Sequence, residues 1–284
     1  MSPPSRLTPL AAVDLAPLFP GLYTELMTLL RGLSPGDWSR PTACALWSVK
    51  DIVAHLVDGC LRRLSFGRDR LDSTPDRPIT GYADLVAYLN DLNARWIVAS
   101  RRLSPAVLMD LLDFTEPQLH RYFSSLDPEG PARFGVAWAG EEHSTNWFDI
   151  GREYTERWLH QQQIREAVGA AGLTARQWLY PALDIFVRAL PFTYMVVEAP
   201  PGTAVEIEIT GGAGGVWTLT RGSGSWTLHS GRTPEPHARV TMDQETAWKL
   251  FSKGLSPEEA GRRVRIQGDT AVGRPALGTL AIMG

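Results

Sequence analysis

The hydrophobic period changes partway along this chain, and that change limits the folds open to it. Up to about residue 175 apolar side chains recur every three or four positions, whereas in the later segments they recur every second position. A period near 3.6 lays apolar residues along one stripe of a helix, and a period of two sends alternate side chains to opposite faces of a strand. Helices followed by strands, rather than the two alternating, imply an α + (α+β) arrangement. Two domains are therefore expected, residues 1–175 helical and residues 176–284 a smaller α+β unit with an antiparallel sheet. At 284 residues, 44% of them hydrophobic, the chain can build a sizeable core.

In "PGLYTELMTLLRGL" (20–33) the residues Leu22, Leu26, Leu29 and Leu30 share one helix face, with Pro20 suited to the first turn. "SVKDIVAHLVDGCLRRLSFGRDRL" (48–71) begins with Ser48 as N-cap and Asp51 three residues on, the spacing of a capping box. Residues 72–80 form a polar loop, and helices are predicted for 82–103 and 105–126. The second of these is expected to break near Glu116–Pro117, because a residue before proline is pushed away from helical geometry. A loop over 127–146 leads to a last long helix containing "YTERWLHQQQIREAVG" (154–169). Long amphipathic helices joined by loops imply an antiparallel bundle, here of four helices.

After a short helix near "PALDIFVRAL" (181–190), "AVEIEIT" (204–210) alternates as a strand with one wet face. "GVWTLT" and "SWTLH" flank the turn "RGSG" as a hairpin, and "HARVTM" (237–242) is a further strand. "DQETAWKLFSKG" (243–254) is a helix that ends at glycine, and "SPEEAGRRV" opens another. "GGAGG" (211–215) lies between strands and lacks the helix start that a phosphate loop needs, so it is a turn.

The formal net charge is −3 with signs interspersed, which argues against nucleic-acid or anionic-membrane partners. Two cysteines, Cys44 and Cys60, make no disulfide framework. The N-terminal residues, broken by prolines, resemble neither a signal peptide nor a membrane span. A soluble cytoplasmic protein, monomer or homodimer, is expected, acting on a small molecule.

Glu156 and His160 are four residues apart and lie one above the other on a helix, where they can chelate one ion or simply decorate a surface. Glu116 and His120 share that spacing, but Pro117 places them across a helix start, where Glu116 would complement the dipole. His55 stands in mid-helix among Ile52, Val53, Ala54 and Leu56. Together with Glu156 and His160 it would supply two imidazoles and a carboxylate, a set that suits zinc, nickel or iron and leaves positions open. Cys60 points away from the His55 face, while Cys44 is a candidate neighbour of the site; burial accounts for either. Trp47, Trp147 and Trp158 lie near these residues in sequence and read as core. No nucleophile elbow or Ser-His-Asp arrangement is visible.

The segments "DWSRPTACALWSVKDIVAHL" (37–56) and "ERWLHQQQIREAVG" (156–169) resemble the DinB-like bundle superfamily, and most of all the N-terminal domain of mycothiol-dependent maleylpyruvate isomerases. The resemblance covers roughly residues 15–170. It implies metal ligation by His55, Glu156 and His160, which match the family's ligand positions one by one. "ARVTMDQETAWKLFSKGLSPEEA" with "VRIQGD" is similar to the sterol-carrier-type domain that follows this bundle in relatives. The implied cofactors are a divalent metal, zinc first, and a low-molecular-weight thiol of the mycothiol or bacillithiol type. The implied chemistry is isomerisation, by addition of thiolate to a conjugated double bond, rotation and departure, or thiol transfer to an electrophile. A dicarboxylate substrate would want an arginine; Arg152, Arg157, Arg165, Arg262, Arg263 and Arg274 are candidates. The rival reading is a non-catalytic protein with a structural metal and an apolar pocket in the second domain.

Overall fold

Leucine stripes at helical spacing become helices, and the caps written in the sequence set where they begin. The computed structural model describes residues 7–72 and 74–283, which divide into two compact units. The helical unit comprises Asp14–Phe134 and Ser144–Leu173. The sheet unit takes residues 7–13, Gly135–His143 and Thr174–Ile282, so it is discontinuous in sequence.

The helical unit contains α1 (Phe19–Arg31), α2 (Val49–Arg62), α3 (Tyr82–Ser100), α4 (Pro105–Ser124) and α5 (Asn146–Val168). Helix α2 packs against α3, α4 and α5, and α1 packs against α4 and α5. Leu22, Leu26 and Leu30 of α1 meet a core that includes Ile52 and Leu56 of α2 and Leu108, Leu112 and Leu119 of α4, all buried. Ser48 caps α2 in both directions: its hydroxyl accepts from the Asp51 amide at 3.3 Å, and its own amide donates to Asp51 Oδ2 at 3.0 Å. The α-helix stops at Arg62, short of the expected Leu71, and continues as a π-helical turn over Arg63–Arg68. The Tyr122 ring lies against Gly67 in that turn, so close that a Cβ there would stand 2.8 Å from it.

The expected break at Glu116–Pro117 does not occur. Helix α4 runs unbroken through Pro117, with Leu112 and Leu119 buried on either side and Glu116 held in a buried ion pair. Those tertiary contacts outweigh the local cost of proline, and Glu116 is not at a helix start.

Helix α5 departs most from a surface amphipath, since seventeen of its 23 residues are buried and many of them are polar. Buried polar groups need partners. Arg63 grips Asp149 with two bonds of 2.8 and 2.7 Å and reaches Glu153 at 2.7 Å. Arg157 bonds Glu153 at 2.8 Å and Glu116 at 3.1 Å, and the Cys60 thiol donates to Glu116 at 3.2 Å. Burial pushes the Asp149 carboxyl up to about 6, against the pull of Arg63 and with the repulsion of Glu153. The helix ends at Gly169, whose φ of +70° favours glycine.

The sheet unit orders its strands β1-β4-β3-β2-β5-β6, with β1 (Thr8–Pro9), β2 (Ala204–Thr210), β3 (Gly215–Arg221), β4 (Trp226–Ser230), β5 (Ala238–Asp243) and β6 (Arg265–Gly268). The sheet is mixed, which corrects the antiparallel expectation: β2 and β5 pair in parallel, Ile207 opposite Val240. Strand β5 crosses back beside β2 instead of extending the β2–β3–β4 meander. The crossover also overturns the wet face expected of β2. Arg232, in the β4–β5 connection, pairs with Glu206 at 2.6 Å and with Glu208, while Arg239 of β5 reaches Glu206 at 2.7 Å, and Glu206 is fully buried. On the apolar face lie α6 (Arg176–Phe186), whose Asp184 accepts from Trp217 of β3 at 3.1 Å, and α8 (Gln244–Phe251), capped by Asp243. The short helices α7 (Leu190–Thr193), α9 (Pro257–Gly261) and α10 (Thr270–Gly273) complete the unit. No helix among the described residues is long and apolar enough to cross a membrane.

Candidate metal centre

His55 projects from the middle of α2 and Glu156 and His160 from successive turns of α5, and the packing of these two helices brings the three side chains together. His55 Nε2 lies 2.9 Å from Glu156 Oε1, and His160 Nε2 lies 3.1 Å from the same oxygen. One ligand atom from each residue lies within 4.8 Å of the others. Both imidazole side chains are 8% exposed, but the Glu156 side chain is 39% exposed, so the cluster is closed on the histidine side and open at the carboxylate.

Trp47 leans over both imidazoles, 4.8 Å from the His55 ring centre and 6.0 Å from that of His160. The turn that carries Trp47 is held by its own bonds: Trp47 O accepts from the Thr42 amide at 3.2 Å and hydroxyl at 2.8 Å, and the Trp47 amide donates to Cys44 O at 2.8 Å. His160 Nδ1 meets Gln163 Oε1 at 2.8 Å, and the Cys44 thiol donates to that same oxygen at 3.2 Å. His55 Nδ1 is buried with no hydrogen-bond partner among the described residues.

Burial opposes charge at all three residues, and the balance differs at each. At Glu156 the His160 charge and hydrogen bonds from His160 and His55 outweigh burial and hold the carboxyl well below the usual carboxylate range. At His160 the attraction of Glu156, the nearby Cys44 sulfur and the hydrogen bond to Glu156 override burial and push the imidazole up to about 10. At His55 burial wins over the Glu156 bond, and the imidazole falls below its usual value. Without an ion the cluster is thus a His160–Glu156 ion pair beside a neutral His55. Two imidazole nitrogens and a carboxylate oxygen, with an open side, are a donor set that fits a borderline divalent ion.

A helical unit bearing a two-histidine, one-carboxylate cluster between two of its helices, joined in one chain to a unit built on a mixed sheet, defines the class. Residues 20–165, just over half the chain, match the family described as the mycothiol maleylpyruvate isomerase N-terminal domain, and the chain belongs to that family. Among curated proteins none matches it. A crystal structure of the mycothiol-dependent maleylpyruvate isomerase is similar at a TM-score of 0.52 and 9% identity, over 83% of this chain and 86% of that one. A histidine-to-alanine mutant of that isomerase is similar at a TM-score of 0.50 and 10% identity, over 90% of this chain and 92% of the other. At such identity the likeness is one of fold.

The structure brings His55, Glu156 and His160 together and leaves Glu116 and His120 apart from them. His120 lies 3.2 Å from the Ser124 hydroxyl, while Glu116 belongs to the buried ion network. Of the arginines on α5, Arg157 and Arg165 are committed to Glu116, Glu153 and Glu25, and Arg152 to Asp149. Arg262 pairs with Glu258 at 2.9 Å, and Arg263 and Arg274 are exposed. Trp158 is core, donating to Leu173 O at 3.1 Å, whereas Trp47 belongs to the site. Gln163 was not singled out in the sequence, although its place three residues after His160 puts both on one helix face.

Proposed function

We propose that this protein is a metal-dependent enzyme that uses a low-molecular-weight thiol, of the mycothiol or bacillithiol type, on a small electrophilic substrate. The reaction is isomerisation of the maleylpyruvate kind or thiol transfer. The observation that carries this reading is the convergence of His55 Nε2 and His160 Nε2 on one Glu156 oxygen, within the span that matches the family. His55, Glu156 and His160 hold the ion, for which zinc suits the donors best. When bound, the ion supplies a positive centre that lowers the pKa of a coordinated thiol. The Trp47 ring shields the imidazoles from water, and the exposed side of Glu156 leaves a path for thiol and substrate. The same reading makes the helical unit within residues 1–175 a DinB-type four-helix bundle and the sheet unit, built mainly from residues 176–284, a sterol-carrier-like domain, in a soluble cytoplasmic monomer or homodimer.

Metal content of the purified protein, followed by His55→Ala and His160→Ala, tests the site. One ion per chain, lost in both variants, is the expected outcome; stoichiometric metal in both removes the assignment. Conjugation and isomerisation assays with mycothiol, bacillithiol and glutathione then test the chemistry. Bound metal with no acceleration by any thiol would make the protein a binding protein instead.

A further inference from the structure

We infer that Gln163 and Cys44 are positioning residues that fix the hydrogen of His160 on Nδ1 and so aim a lone pair from Nε2 at the ion. The inference rests on the reading of His55, Glu156 and His160 as metal ligands.

The argument starts from one oxygen with two donors. Gln163 Oε1 lies 2.8 Å from His160 Nδ1 and 3.2 Å from the Cys44 sulfur. A thiol donates weakly and its sulfur accepts weakly; here it donates to the Gln163 oxygen, and a carboxamide can offer either its oxygen or its NH2. Flipping the amide would put the NH2 group against Cys44 and lose the thiol's acceptor. Cys44 therefore favours the amide orientation that turns the oxygen to it, and that oxygen then requires a hydrogen on Nδ1. A ring that carries its hydrogen on Nδ1 and binds through Nε2 is the arrangement that an oriented metal-binding histidine needs.

The three groups are held by burial and local hydrogen bonds. Gln163 is buried one turn beyond His160 on α5. Cys44 sits in the Thr42–Trp47 turn, where its amide donates to the Thr42 hydroxyl at 3.2 Å and its carbonyl accepts from Trp47. That one turn delivers the Trp47 ring to the face of both imidazoles and the Cys44 thiol to the amide behind one of them. His55 offers the contrast, since its buried Nδ1 has no such acceptor among the described residues. The two histidines are thus unequal, His160 held by a hydrogen-bond chain and His55 by the Trp47 ring and its helix.

The test is zinc affinity, measured by competition with a chromophoric chelator, for the full chain and the variants Gln163→Leu, Gln163→Glu, Cys44→Ala and Cys44→Ser. Gln163→Leu should bind zinc roughly 10- to 100-fold more weakly, the usual cost of removing a partner behind a metal-binding histidine. Gln163→Glu, which keeps the acceptor, should bind at least as tightly as the unsubstituted chain. Cys44→Ala should weaken binding and Cys44→Ser restore it, because serine returns the donor. In the zinc-loaded protein, long-range proton–nitrogen NMR correlations should show His160 with its hydrogen on Nδ1. Tight zinc binding by the unsubstituted chain with equal affinity in Gln163→Leu and Cys44→Ala overturns the inference and leaves the metal centre standing, as does a hydrogen on His160 Nε2. Absence of zinc binding in the unsubstituted chain overturns the metal centre, and this inference with it. Should Gln163→Leu fail to fold, the Cys44 pair and the NMR readout still decide.

Discussion

His160 keeps its proton to about pH 10, against 6.5 for an ordinary imidazole, because Glu156 faces it. A group whose pKa is raised on folding adds stability that is fully present below its unfolded value and is lost as pH rises through the folded one. Glu156, held low, works the other way and loses its contribution only in acid. The metal-free protein should therefore weaken as pH rises from 6.5 towards 10, a trend that thermal unfolding after chelator treatment will show. If zinc binds as proposed, it would take the place of the His160 proton, so the loaded protein should lack that slope and should release a proton on loading near neutral pH. A second expectation concerns the buried arginines. Arg157→Met leaves Glu116 without its arginine in the core, while Glu153 keeps Arg63, and should cost about 3–5 kcal/mol in urea unfolding. The three clustered residues were legible in the sequence through spacing and family likeness. The ion network was not: Arg63 meets Asp149 across 86 residues and Glu153 across 90, and charges at such separations leave no local pattern.

At the scale of elements, the helix starts were the most readable features. Ser48 with Asp51 forms the cap that its spacing announces, because a cap is a bond between near neighbours, and Asp243 with Thr246 and Ser256 with Glu259 cap α8 and α9 in the same way. Ser48→Ala should destabilise the protein by about 1 kcal/mol in denaturant titration. Since α2 carries His55, it should also weaken zinc binding, though by less than loss of a ligand. Pro117 misled for the opposite reason, its local cost being overruled by partners on α2 and α5 that a reading of neighbours does not see. The wet face assigned to β2 failed likewise, because Arg232 arrives from the β4–β5 connection to cover Glu206.

Over the whole molecule, the change of hydrophobic period announced helices first and sheet second, and that order holds. Period alone tells which face of a strand is buried and nothing about which strands are neighbours, so the parallel β2–β5 pairing and the β1–β4 pairing were not foreseen. An ion gripped by the folded helical unit and not by the unfolded chain stabilises that unit by mass action. Free zinc at a thousandfold excess over its dissociation constant should raise its unfolding free energy by about 4 kcal/mol. Calorimetry with and without chelator measures this, and His160→Ala should abolish the difference.

The Thr42–Trp47 turn has a consequence for engineering. Its inner residues, Cys44 and Trp47, face the histidines and their amide, while its tip, Ala45 and Leu46, stands in solvent, Leu46 being 89% exposed. Because the turn is tied through Thr42 and its own backbone, substitutions at the tip should leave what lies beneath it in place. A library at residues 45 and 46 would vary what is admitted beside the proposed metal centre while sparing the residues proposed to form it.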